Sequence, residues 1–167
     1  MNFENVTFPN SLGFRCKKCG LCCREQPADL SEKEQQQIEA KGFTGFSVEA
    51  DGTEGPFIRR KKDGSCFFLT KHNECRIYDV RPSGCRVQPF TIADWDYEKN
   101  TIEMDLPAEC KCKGILEGGT LSMEEIGRAA QTILQNMLEI AAKSLGLPIT
   151  DKRVASKTRI TIMRMNQ

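Results

Sequence analysis

Residues 16 to 23 read CKKCGLCC, four thiols in eight positions ending in two adjacent cysteines. Thiols at this density can build a disulfide framework, a redox couple, a zinc clamp or an iron–sulfur cluster. Cys16, Cys19 and Cys22 recur at intervals that a tight loop can turn toward one centre. Gly20, next to Cys19, frees the backbone to approach sulfur and to take φ > 0. Adjacent side chains tend to diverge, so Cys23 is expected to face a second centre or a bridge rather than the centre of Cys22.

The x2, x2 spacing is the one by which three cysteines hold three corners of a [4Fe–4S] cluster in bacterial ferredoxins, with a remote cysteine completing it. The x3, x2 spacing of radical-SAM clusters is not present. Five further cysteines follow: Cys66, Cys75, Cys85, Cys110 and Cys112. Cys66 and Cys75 sit at expected strand ends, reasonable for ligands of a shared metal. A zinc ribbon needs a second CxxC, which this chain does not offer, and the CxC at 110–112 is not that knuckle. Cys112 is the thiol most readily left unliganded, or packed as a small hydrophobe. The other eight allow two four-cysteine sites, one cluster plus a structural zinc, or one cluster with several thiols free. Thiolates suit both zinc and iron–sulfur clusters, so ligand chemistry leaves the metal open.

The rest of the composition sets the compartment. The 167 residues fit one domain, in which a chain of this size buries roughly 70% of its unfolded surface. With 24 basic and 23 acidic residues, the balanced charge carries no strong nucleic-acid signal and no general grip on anionic lipid. No apolar run approaches the about 18 residues of a membrane span, and the N-terminus lacks a signal-peptide pattern. A cytoplasmic protein is expected, where thiols stay reduced. Nine cysteines there, an odd count with a vicinal pair, point to metal rather than disulfides.

Positioning elements can be read from pattern. Residues 31–42 form a polar surface helix with a capping box of Ser31 and Glu34, stopping near Gly42. Residues 55–69 read as two short strands around a two-residue Asp63-Gly64 turn. Residues 74–80 read as another strand, and 90–106 as a hairpin turning near 98–100. Pro82 is expected to open a short helix. From 121, Ser122 and Glu125 cap a long helix ending at Gly146 and Pro148, with Ile126, Ala130, Ile133, Met137, Ile140 and Ala141 on its apolar stripe. That helix is expected to pack on the sheet. Its breadth also allows docking to a protein partner or self-association through residues 122–145. The tail at 157–165 alternates basic and apolar residues, which reads as an exposed strand or a segment ordered by a partner. The fold class is α+β: a small, mainly antiparallel sheet with metal-binding cysteine loops and a C-terminal amphipathic helix. Residues 1–167 make a single domain, divided into a cysteine body at 14–112 and a helical arm at 121–167.

FRCKKCGLCC (14–23) followed by CFFLTKHNECRIYDVRPSGCRVQPF (66–90) resembles the CxxCxxCC cysteine-cluster family, whose members are described as zinc- or iron-chelating and sometimes labelled Fe–S oxidoreductases or flagellin lysine N-methylase-like. The matching blocks are the CxxCGxCC run, Cys66, Cys75 with Ile77-Tyr78, Arg81-Pro82 with Cys85-Arg86, and Cys110 as the late cysteine. Val87-Gln88-Pro89 replaces a common Phe-Pro, a small departure. The resemblance covers about residues 14 to 112 and implies metal binding by Cys16, Cys19, Cys22, Cys23, Cys66, Cys75, Cys85 and Cys110.

Arg81 and Arg86 flank Cys85 and are candidate cofactor-binding residues, placing positive charge beside a thiolate site; the alternative is a pair of salt-bridged arginines holding a turn. His72 reads as a solvated turn residue, and Trp95 and Tyr97 as sheet packing. The expected function is metal binding, with a [4Fe–4S] cluster favoured, for electron transfer or cluster delivery to a partner. The alternatives are a zinc-stabilised interaction module and the metal-bearing component of a methyl-transfer or redox enzyme.

Overall fold

The computed structural model describes residues 5–9, 12–25, 28–49, 55–117 and 123–166. Its largest sheet grows from the hairpin at 90–106. Strands β5 (Thr91–Asp96) and β6 (Thr101–Asp105) pair antiparallel, with a register shift between Ile92 and Asp94. Asp96 holds the turn by accepting the N–H groups of Glu98 and Lys99 at 2.9 and 3.0 Å, and Asn100 takes φ 57° there. Along β6 the buried side chains are Ile102 and Met104, the alternation of a strand with one face covered.

Strand β1 (Asn5–Thr7) adds to the other side of β6 in parallel, with Asn5 opposite Thr101. The sheet is therefore mixed rather than mainly antiparallel. The intervening body of the chain supplies the long connection that a parallel pair requires. Two further two-stranded ladders are antiparallel. One joins β2 (Leu12–Phe14) to β7 (Ile115–Glu117), the other β3 (Ser47–Val48) to β4 (Phe57–Ile58).

The hairpin at 55–69 is looser than its pattern. Only Phe57–Ile58 is strand, followed by a single bridge between Arg60 and Cys66. Lys61 pairs with Ser65 across three loop residues, and only Gly64 is left-handed, at φ 77°. That is a three-residue loop closed by a left-handed glycine, not a two-residue turn. Residues 74–80 are not a strand. After one bridge from Cys75 to Leu69, the chain tightens into a 3₁₀ turn at Tyr78–Val80. Pro82 then forces Arg81 into an extended conformation and caps the short helix α3 (Ser83–Val87), numbered after α1 (Cys22–Glu25) and α2 (Glu32–Glu39).

The capping box on α2 is present, with Ser31 accepting from the Glu34 N–H and Glu34 returning to the Ser31 N–H at 2.9 Å. The long helix α4 (Met123–Leu145) buries Ile126, Ala130, Leu134, Leu138 and Ala141 against the sheet. Its expected cap Ser122 lies outside the described residues. Its far end closes as the pattern predicts: Gly146 is left-handed, and Leu147 donates back to the Ala142 carbonyl at 3.1 Å.

The tail is a helix, α5 (Lys152–Met165), not a strand. The alternation within 157–165 competes with a helical period that starts upstream, and the longer pattern wins. Val154, Ala155, Thr158 and Ile162 are buried at helical spacing, and Asp151 caps the first turn. None of the helices among the described residues is long and apolar enough to cross a membrane.

Side chains gather into two cores. The larger holds Phe14, Phe90, Trp95, Ile102 and the inner faces of α4 and α5. Trp95 is buried there with its ring edge-on to Tyr97 at 5.7 Å, so these aromatics pack the sheet. The smaller core holds Leu30, Ile38, Phe46, Ile58, Phe68 and Ile77, under α2 and the β3–β4 ladder.

Candidate metal centre

The first cysteine loop leaves directly from β2, and the last one leads directly into β7. Their ladder continues past the strands, with Arg15 donating to the Gly114 carbonyl at 2.8 Å. The approach is close enough to require glycine: a β-carbon on Gly114 would lie 2.4 Å from the Arg15 carbonyl oxygen and 2.9 Å from the Phe14 ring. Backbone amides point at sulfur in both loops. Lys18 donates to Cys16 Sγ at 3.4 Å, Cys112 to Cys110 Sγ at 3.5 Å, and Gly114 to Cys112 Sγ at 3.4 Å. Left-handed Lys18 (φ 51°) and Gly20 (φ 72°) curl the first loop tightly.

Cys22 and Cys23 open α1. The Cys23 carbonyl accepts the Cys66 amide at 2.8 Å and the Arg60 guanidinium at 3.3 Å, which ties the first run to the 55–69 hairpin. Cys75 is fixed by its bridge to Leu69. Cys85 is carried on α3, its amide bonded to the Pro82 carbonyl at 2.9 Å.

These segments enclose a cavity of about 300 Å³ between the two cores. Cys16, Cys19, Cys22, Cys23, Cys66, Cys75, Cys85, Cys110 and Cys112 all line its wall. All nine cysteines are free thiols. Every thiol proposed from the sequence therefore reaches this cavity, and so does Cys112, which spacing had set aside. Cys22 and Cys23, whose adjacent side chains were expected to diverge, both line it. His72 is not on the wall but in an exposed turn. Among the described residues, no three His, Cys, Asp or Glu side chains converge closely enough to hold an ion as they stand. The thiols are arrayed around the cavity rather than closed into a coordination shell.

Burial and mutual proximity polarise these thiols in opposite directions. Cys22 is brought down to about 6, chiefly by the hydrogen bond from the Cys23 thiol, with help from the backbone N–H groups of Cys22 and Cys23 and from Arg81, against the cost of burial. Cys23 is pushed up by donating that bond and by burial. Burial also raises Cys75, Cys85 and Cys112. A neutral thiol is the cheaper form in such surroundings until a cation offsets the charge.

Arg81 and Arg86 both line the cavity and both hold the turn. Their guanidinium groups reach Glu125 on α4 at 3.0 and 3.3 Å. Arg86 also donates to the carbonyls of Arg81 and Asp79, each at 2.8 Å. Arg81 lies over the Tyr78 ring at 4.1 Å, and its Nε is buried with no hydrogen-bond partner. Sequence spacing gives no hint of Glu125, which lies 44 and 39 positions from the two arginines. An all-sulfur donor set, amides directed at sulfur and an unpartnered buried donor together fit a thiophilic cation or cluster.

The site thus defines a thiol-walled, cysteine-cluster protein with metal-chelating chemistry. The chain belongs to the CxxCxxCC family, described as "Putative zinc- or iron-chelating domain", whose model matches residues 15–113. It is also similar to an uncharacterized protein of Methanocaldococcus jannaschii, 26% identical over 136 residues, covering 75% of this chain and 71% of that protein. No solved structure matches the chain.

Proposed function

We propose that this protein carries an iron–sulfur cluster on thiolates of the cavity and passes electrons, or the cluster itself, to a protein partner in a reducing, cytoplasmic setting. The observation that supports this reading best is the gathering of nine free thiols from five separate segments onto one wall. When bound, such a cluster supplies one-electron chemistry. The chain's own residues would hold it through cysteine sulfur and offset its charge with Arg81, which lines the cavity and whose Nε is buried without a hydrogen-bond partner. Lys17, Lys18 and Lys111 add positive charge to the cavity rim and outnumber Glu25 and Glu109 there.

Purification without oxygen tests this reading. A brown protein with visible charge-transfer absorption and matched iron and sulfide supports it. A colourless protein holding zinc alone would sink the cluster and leave the zinc-stabilised module standing.

A further inference from the structure

Charge is balanced over the chain but not within it. The segments that wall the cavity, residues 14–25, 55–86 and 107–114, carry 14 of the 24 basic residues and only 5 of the 23 acidic ones. The remainder of the sequence is acidic, with 10 basic and 18 acidic residues. The basic run at 59–62 is far from the first cysteine run in sequence, yet Arg60 and the Cys23–Cys66 backbone bond join them. Folding therefore concentrates at one site a charge that the overall composition conceals.

Much of that charge is not neutralised. Lys17, Lys18 and Lys111 are exposed on the cavity wall. Exposed Arg24 spans two wall residues, donating to the Gly20 carbonyl at 3.3 Å and to Asn73 Oδ1 at 2.9 Å. Arg60 borders a smaller recess of about 30 Å³ beside Cys22, Cys23, Cys66 and Cys85. Among the described residues, none of these five cations is ion-paired. Bonds to uncharged oxygens anchor Arg24 and Arg60 without cancelling their charge. Four thiolates holding a centre would offset about four positive charges, before the metal's own charge is counted.

The surroundings of these cations select among anionic partners. Bases stack on open aromatic faces, and the rings here are taken by the protein's own cations. Lys18 and Arg81 lie over Tyr78 at 4.7 and 4.1 Å, and Arg59 and Arg76 over Phe67 at 6.0 and 5.8 Å. An anionic bilayer is held by apolar side chains as well as by charge. The exposed large apolar side chains among the described residues, Leu145, Ile160, Met163 and Met165, all belong to the helical arm instead. What remains is charge without stacking or insertion, the complement of a carboxylate-rich protein surface.

We propose that the cavity mouth is the docking face for an acidic protein partner, drawn in by Lys17, Lys18, Arg24, Arg60 and Lys111. This rests on the reading of the cavity as a centre that serves a protein partner. A cleft lined by one sign of charge focuses its field and raises the encounter rate, most strongly at low salt. Docking there brings the partner to the thiols themselves. It also leaves α4 free to keep its apolar stripe buried against the sheet.

The full-length chain, purified without oxygen, is titrated at low and at physiological salt with three fluorescent probes. These are a polyglutamate peptide, an oligothymidylate of equal charge and phosphatidylserine vesicles. Two variants with the same change in net charge are compared, Lys17→Glu with Lys111→Glu at the mouth and Lys143→Glu with Lys152→Glu on the arm. The native chain should bind the peptide more tightly than the other two probes, and less so as salt rises. The mouth variant should lose about tenfold in affinity at low salt, and the arm variant about twofold at most. Equal loss in both variants, or no binding of the peptide by the native chain, overturns the proposal. Tighter binding of the oligothymidylate or the vesicles also overturns it. Should charge reversal unfold the chain, Lys17→Gln with Lys111→Gln carries the test: weaker peptide binding supports the face, and unchanged affinity overturns it. Metal analysis of the same samples keeps the two readings apart. A metal-free chain that binds the peptide at the mouth loses the cluster and keeps the docking face; a brown chain that ignores the peptide does the opposite.

Discussion

Cys66 donates its amide N–H to the carbonyl oxygen of Cys23 at 2.8 Å, so the later cysteines hang from the backbone of the first run. Arg60 reinforces the joint, bonding the carbonyls of Cys23, Arg24 and Gly64 at 3.3, 3.0 and 2.5 Å. Charge-assisted bonds to carbonyls are among the stronger ones, though Arg60 is partly exposed. Arg60→Ala is expected to destabilise the fold by about 1–3 kcal/mol in urea titration. Exposed Lys62→Ala should stay within about 0.5 kcal/mol.

Gly114→Ala forces a β-carbon to 2.4 Å from a backbone oxygen, where no flexible side chain can give way. A cost of about 1–3 kcal/mol is expected from the backbone shift. Gly84 on α3 has open space and no left-handed φ, so Gly84→Ala should be neutral or stabilise by up to about 1 kcal/mol. Equal effects at the two positions would show that the loops are not held by close approach.

Glu34 gives a pH dependence. Burial works to raise its pKa, but the N–H groups of Ser31 and Ser83, at 2.9 and 2.7 Å, outweigh it and hold the carboxyl below its ordinary range. A carboxylate whose folded pKa is depressed contributes stability above its unfolded pKa of about 4.3, and that contribution disappears as pH falls through the folded value. Urea midpoints measured from pH 7 downward should therefore drop more steeply below about pH 4.3 in the native chain than in Glu34→Gln. Parallel curves would show that the bond to Ser83 is not made in solution.

Glu125 is the counter-charge for two arginines, of which Arg81 is the more enclosed, its side chain 13% exposed. Glu125→Ala strands that cation beside the thiols and is expected to destabilise the protein by about 1–3 kcal/mol. Substituting Arg81 alone should also alter the visible spectrum of the metal-loaded protein, whereas Arg86→Lys should change stability with the spectrum intact.

Metal removal tests how far the cavity depends on its cation. Structural zinc contributes about 10–16 kcal/mol of apparent binding energy in small peptides. If a third of that acts here, chelation lowers Tm by about 10 °C or more for a chain of this length. Scanning calorimetry with and without a chelator reads this directly, and coincident melts would count against a structural ion.

Local signals in the sequence are mostly kept, although the Asp63-Gly64 turn closes as a three-residue loop rather than a two-residue one. The Ser31–Glu34 box, the turn at Asn100 and the Gly146 stop are all where their patterns put them, because each is decided by a few neighbouring residues. The errors come where two patterns or two distant segments compete. Residues 157–165 alternate like a strand, yet the helical period reaching back to Val154 covers more buried surface. Cys75 looks like the start of a strand, but Pro82 and burial of Ile77 pull the chain into a turn. The parallel pairing of β1 with β6 spans most of the chain and has no local signature. The thiols were legible as a group from spacing alone. That Cys112 shares the cavity wall was not, since this depends on the β2–β7 register and on the contact at Gly114.

Strand β5 is the outer strand of its sheet, with one row of backbone groups facing away from β6. Asn166, just past the end of α5, donates its side-chain amide to the carbonyls of Ile92 and Ala93 at 2.9 and 3.3 Å, and Arg159 grips Asp94 at 2.8 Å. An unguarded edge is a template on which a second chain can stack its own strand, the first step toward fibrils. By spending its last helix on that rim, the protein masks the place where a crowded pool of copies could begin to aggregate.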